Sequence, residues 1–215
     1  MIAYKLTEQD NTTYNHSTLW GNGVTHQVNN RGRTLCSNEV IHVYSDPVLA
    51  VLMNPIHAAI NNPKLWKCRI TKPVADDGTK LGTKKCTTIK ETPIPNITTE
   101  QRVTFAILCA KIVYKDKDWN TWADNWLKGI DRSTAAAHAA HEGIYPAPAS
   151  ARAADSAAAS AATRAAAHAA ASAAANAVAN AAARAAAYSS ASTAAYATQI
   201  NLVEIVHKMM EVNNG

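Results

Sequence analysis

The sequence has little of what most catalytic and cofactor motifs are made from. It holds one phenylalanine, four cysteines, eight glycines and eight prolines in 215 residues. Gly21-Asn22-Gly23 lacks the further positions of a phosphate-cradling loop, and no Gly-x-Ser-x-Gly elbow is present for a serine nucleophile. Cys36, Cys68, Cys86 and Cys109 form no Cys-x-x-Cys pair, which excludes zinc-ribbon and thioredoxin-type sites. They read as reduced, mostly buried thiols of a cytoplasmic protein, with a Cys68–Cys86 bridge across a hairpin as the alternative. Met1 to Leu6 lacks the apolar stretch of a signal peptide, and no strongly apolar run of about 20 residues exists for a membrane span.

What the chain has instead is alanine. The hydrophobic fraction is 47%, but the chain holds 44 alanines, and 29 of these lie between residues 151 and 197. Without alanine the fraction falls to roughly 27%, too little for one core spread evenly along the chain. All five tryptophans and the phenylalanine precede Lys128. Residues 1–133 carry 17 Lys/Arg against 12 Asp/Glu, whereas residues 134–215 carry four of each. The expected class is therefore α+β: a basic α+β domain over 1–133, then an Ala-rich, mainly helical region over 134–215.

Local patterns fill in the first zone. Ile2 to Leu6 and Val40 to Tyr44 read as strands. Asp46 and Pro47 suit the N-cap and first position of a helix carrying Val48, Leu49, Val51, Leu52 and Met53, with a second short turn over Ile56 to Ile60. Leu65 to Ile70 and Cys86 to Lys90 alternate as half-buried strands, separated by a turn at Asp76-Asp77-Gly78-Thr79. Thr98 and Gln101 form a capping-box pattern. Trp119, Trp122 and Trp126 lie on one helical face ending at Gly129. That stripe suits packing, the other reading being a stacking platform for bases or sugars.

In the second zone a non-alanine residue recurs at every fourth position from Arg152 to Tyr196. A step of four drifts about 40° around a helix of 3.6 residues per turn, so neither a fixed amphipathic face nor a heptad coiled coil fits. The pattern predicts close helix packing or self-association through alanine, in shorter helices or one long rod. The chain closes on an amphipathic helix with Ile200, Val203, Val206 and Met210, joined by Met209, as its apolar stripe.

Ala3-Tyr4-Lys5, Leu35-Cys36, the segment from Ile41 to Pro47, and Leu65-Trp66-Lys67-Cys68 together resemble an uncharacterised family of proteins encoded mainly by bacteriophages. In that family a compact N-terminal domain often precedes an Ala-rich array. The resemblance covers roughly residues 1–95. It implies a phage protein acting in the cytoplasm of the infected host cell, and implies no particular activity.

Two chemical readings compete. Lys64, Lys67, Arg69, Lys72, Lys80, Lys84, Lys85 and Lys90 crowd around the proposed hairpin, offset there only by Asp76 and Asp77. They predict a patch for an acidic surface, a nucleotide or nucleic acid; a solvated sheet edge guarded by lysine is the alternative. The order Lys5, Tyr44-Ser45, Glu91 is similar to that of ADP-ribosyltransferases, which implies an enzyme in which Glu91 orients a ribose. Lys5 stands where that family has Arg or His. His138, His141 and Glu142 offer no third metal ligand, so no metal and no cofactor are expected. The leading expectation is a non-enzymatic accessory protein that binds a host or phage macromolecule or nucleotide. An oligomeric virion rod is a third possibility.

Overall fold

The computed structural model describes residues 1–13, 15–113, 115–142 and 201–212. Strands and helices are both present, as an α+β reading requires. The chain divides into two units, Met1–Asn96 and Ile97–Gly215. The division expected at residue 133 thus falls inside the second unit, because the helices on either side of it pack on one another.

In the first unit, β1 (Ile2–Thr7), β4 (Thr25–Gln27), β6 (Lys64–Ile70) and β9 (Lys85–Thr92) form an antiparallel sheet in the order β1-β6-β9-β4. A second antiparallel sheet has the order β5-β8-β7, from β5 (Ile41–Val43), β7 (Ala75–Asp76) and β8 (Leu81–Thr83). The pair β2 (Thr12–Thr13) and β3 (Thr18–Leu19) makes a short hairpin within the Asn/Thr-rich stretch. Tyr4 and Tyr44 exchange backbone hydrogen bonds, each 2.8 Å, which ties the free side of β1 to the end of β5. Ala3, Trp66, Cys68, Ile70 and Cys86 from the larger sheet pack with Ile41, Val43, Leu81 and Trp20 in one buried cluster. Their positions follow the period of two that an antiparallel strand imposes.

Helix α1 (Pro47–His57) starts as its sequence demands: the Asp46 side chain accepts hydrogen bonds from the N–H groups of Val48 and Leu49 at 2.7 and 3.1 Å, and Pro47 fills the first turn. It runs on through Pro55 to His57 as one helix. The buried Asn54 then stops it. Its side chain holds both backbone groups of Ile60, donating to the carbonyl at 2.9 Å and accepting from the N–H at 3.2 Å.

The second unit contains α2 (Thr99–Val113), α3 (Lys117–Leu127), α4 (Thr134–Glu142) and α5 (Leu202–Val212). The capping box is reciprocal: Gln101 N–H donates to Thr98 Oγ1 at 3.1 Å, and Thr98 N–H donates to Gln101 Oε1 at 2.9 Å. Every residue from Gln101 to Ala110 is buried, so α2 is enclosed on all sides. Trp119, Trp122 and Trp126 are the buried face of α3. That burial answers the choice between packing and platform, since a stacking surface must be open. Asp124 of α3 pairs with Lys111 of α2 at 2.5 Å, and Arg132 lies over the Trp126 ring at 4.7 Å. Gly129, at φ 70°, turns the chain out of α3 in a conformation that favours glycine.

Helix α5 packs on α2 of the same chain. Its buried residues are Leu202, Ile205, Val206 and Met209; Val206 and Met209 belong to the expected stripe, whereas Val203 and Met210 are half-buried at its margin. Leu202 takes the inward place, and Met210 accepts a bond from Gln101 Nε2 at 3.5 Å from the margin. Ile200 and the four-residue alanine register lie outside the described residues. Among the described residues no helix is long and apolar enough to cross a membrane.

The capping box generates a direct test. Thr98→Ala is expected to lower the unfolding free energy by about 1 kcal/mol, the usual cost of losing an N-cap hydroxyl. Urea unfolding followed by tryptophan fluorescence reads this, and an unchanged midpoint would contradict the cap's contribution.

Candidate functional site

The register of the larger sheet sorts its side chains into two faces. Ile2, Arg69 and Thr87 lie opposite one another, as do Tyr4, Lys67 and Lys90. Thr87 is in turn opposite Thr25, and Lys85 opposite Gln27. These residues share the face turned away from the Trp66–Cys68–Cys86 cluster. A register shift between Lys67 and Cys68 leaves Ile89 as an extra residue on β9. The shift brings Lys90 onto the face of Lys67. Arg69, Lys85 and Lys90 are exposed and Lys67 is half-buried. Among the described residues none of these four cations has a carboxylate partner. Lys67 and Lys90 are directly opposite across the strands, a like-charge pair that costs stability.

The remaining members of the expected patch are placed differently. Lys72 is exposed in the loop after β6. Lys64 faces the other way and donates to Asn11 Oδ1 at 2.9 Å. Two are corrections. Lys84 is half-buried and donates to Asn30 Oδ1 at 2.9 Å, Glu39 O at 2.7 Å and Gly32 O, pinning the irregular segment ahead of β5. Lys80 is only 7% exposed, with its ammonium on the sulfur of Cys36 at 2.8 Å. Both ammonium groups are thus engaged by partners within the fold.

The four residues of the ADP-ribosyltransferase-like order do not share a site. Lys5 and Tyr44 belong to adjacent strands but opposite faces, since Tyr44 pairs with Tyr4. Lys5 is buried, donates to the His42 carbonyl at 3.1 Å and sits 4.6 Å from the Trp20 ring. Burial lowers its pKa, against the opposing pull of Cys86 and Cys68. Tyr44 is buried and stacks on His57 at 6.0 Å, and burial, helped by Asp77, raises its pKa. Ser45 is exposed beside the α1 cap. Glu91 is exposed on an open groove of about 440 Å³ that it shares with Gln9, Lys64 and Thr92.

A second cluster gathers where no spacing pattern pointed. Cys36 is the exposed cysteine; Cys68, Cys86 and Cys109 are buried, and all four are free thiols. The Cys36 N–H donates to His42 Nε2 at 2.9 Å, so this imidazole is neutral with its proton on Nδ1. Beneath, Asp77 Oδ1 accepts from the N–H groups of Thr79 and Lys80, each 2.9 Å, and from Thr79 Oγ1 at 2.7 Å. Burial would raise the Asp77 pKa, but these bonds hold it below its ordinary value. Gly82 makes room for the arrangement. A Cβ there would meet Val40 Cγ2 at 2.9 Å and Leu35 Cδ2 at 3.1 Å, so with those two side chains in place the bare Cα of glycine lets the Leu35–Cys36 segment lie against β8. Cys36 itself has φ 60°, a left-handed conformation rare for a side chain of this kind.

Burial, with the positive charge of Lys80 adding to it, pulls His42 and His57 each down to about 4. Leu35-Cys36 stood out in the sequence only for its resemblance. Cys36 and Lys80 are separated by 44 positions, and no local rule joins residues that far apart. No family model, curated protein or solved structure matches the chain.

The two histidines fix a pH dependence. Each is neutral in the fold down to about pH 4, whereas in the unfolded chain it protonates near about 6.5. The unfolded chain therefore binds the extra protons between those values, so stability is full above the upper one and is lost as pH falls through the window. Asp10, held at about 2 first by the Thr12 hydroxyl and backbone N–H, adds its own loss only at lower pH. Urea midpoints are expected to fall steadily from pH 7 to 4.5. A flat profile over that range would rule out the buried neutral pair.

Proposed function

We propose that the protein is a non-enzymatic binding factor that holds single-stranded nucleic acid on the cationic part of the sheet face around Lys67, Arg69, Lys85 and Lys90. The observation that carries this reading is the cross-strand pair Lys67–Lys90, flanked on the same face by Arg69 and Lys85. Two ammonium groups held opposite each other repel, and a phosphate chain laid across them turns that repulsion into attraction. Along β6, Lys67 and Arg69 are two residues and about 7 Å apart, so cations line the strand as well as cross it. Tyr4, half-buried in the row of Lys67 and Lys90, borders this patch, and the Thr25 and Thr87 hydroxyls add neutral polar groups. The broader expectation of a host or phage macromolecule thereby narrows to one chemical class. The rod reading and helix-mediated self-association concern residues outside the described ones.

Fluorescence anisotropy with a labelled single-stranded oligonucleotide tests this. Four phosphate contacts give a slope of about −2.8 in log affinity against log salt. Lys67→Glu with Lys90→Glu is expected to weaken binding at least about tenfold and to flatten the slope, each lost contact removing about 0.7 from it. Lys128→Glu, an exposed position in the second unit, is expected to change little. Equal losses in both variants would reduce the effect to net charge, and salt-independent binding would overturn the reading.

A further inference from the structure

The contact between Cys36 and Lys80 is closer than hydrogen bonding explains. An N–H donor settles at about 2.9 Å from oxygen. Here the donor nitrogen lies 2.8 Å from sulfur, a larger atom. Lys80 is almost completely buried, and a buried ammonium needs an anionic partner. Asp77, which feels the charge of Lys80, spends its Oδ1 on three hydrogen bonds from Thr79 and the Lys80 backbone, and among the described residues it makes no ion pair with the Lys80 ammonium. The Cys36 sulfur is the acceptor that meets this ammonium, and the exposure of Cys36 leaves it open to small oxidants. The backbone around Cys36 is anchored on several sides. Its segment is held by the Cys36 N–H bond to His42, by the three bonds of Lys84, and by the bare Cα of Gly82 beneath Leu35 and Val40.

We propose that Cys36 and Lys80 form an oxidative modification site, at which peroxide inserts one oxygen between sulfur and nitrogen to give a covalent S–O–N bridge. The thiolate attacks the first peroxide; an S–O bond forms, the O–O bond breaks, and the sulfenic acid and water result. The lysine amine reduces the second peroxide in the same way, giving a hydroxylamine and water. Sulfenic acid and hydroxylamine then condense with loss of a third water. Sulfur and nitrogen each give up two electrons. Thiolate and ammonium together start with the proton count the products need, so no net proton is released. The bridge fastens the Cys36 segment to the lysine immediately before β8.

The full-length chain, treated with hydrogen peroxide and digested without reductant, is the test. The expected product is a joined pair of peptides carrying Cys36 and Lys80, heavier than their sum by one oxygen less two hydrogens. Dithiothreitol is expected to restore the separate peptides. Lys80→Arg, which keeps the charge, is expected to leave Cys36 oxidisable without any link, and Cys36→Ser to abolish both. Because either variant could fold poorly, the unaltered chain is also oxidised in urea, where the link is expected to fall at least about tenfold as the enforced proximity is lost. Sulfinic acid at Cys36 with Lys80 unchanged, a Cys36–Cys36 disulfide between two chains, or equal linking in urea would each overturn the proposal.

Discussion

The pairing register of β6 with its two neighbours is the constraint on which the first unit depends. Side chains alternate along a strand, so a slip of one residue exchanges the two faces. In the observed register Trp66, Cys68 and Ile70 enter the apolar cluster while Lys67 and Arg69 face solvent. A slip would bury two cations without partners and expose two large apolar side chains and a thiol. The bulge at Ile89 adjusts this pattern on β9. It lets Thr88 stay buried and still sets Lys90 opposite Lys67. Core and basic face are thus one decision about alignment, taken once along β6.

Charge inside the fold follows a different logic from charge outside it. Lys5 and Lys80 are buried and Lys84 is half-buried, and each is met by a specific group: a carbonyl and an indole ring, a thiol, or a set of carbonyl and amide oxygens. Such partners offset the desolvation that an isolated buried ammonium would suffer. Among the described residues the face cations have no such partners, and that difference separates structural lysines from those available to a ligand. Composition counts the two kinds alike, which is why a patch of eight reduces to a smaller outward set.

Much of the fold was legible locally. The Asp46-Pro47 start, the Thr98–Gln101 box, the Gly129 stop and the alternation in β6 and β9 are rules of neighbouring residues, and the structure contains each. The short strands β2 to β4 were not legible, because Asn- and Thr-rich segments pair only when a partner edge is present. Four cations of the basic face were named from clustering in the sequence, but clustering cannot say which way a lysine turns. The Cys36–His42–Lys80 arrangement gave no sequence signal, since it joins a loop, a strand and a turn brought together by tertiary pairing. The boundary between units also depends on helix contacts that periodicity alone does not assign.

Gly82 differs from Gly129 in a way that reaches beyond this chain. Gly129 answers to its own backbone angle, so only a residue tolerant of that angle can replace it. Gly82 answers to its neighbours, Val40 and Leu35. A larger residue at position 82 can be accommodated when position 40 becomes smaller, whereas neither change alone keeps the packing. In divergent relatives these two positions would therefore be expected to drift as a pair, one shrinking as the other grows, while the glycine that closes α3 stays put on its own.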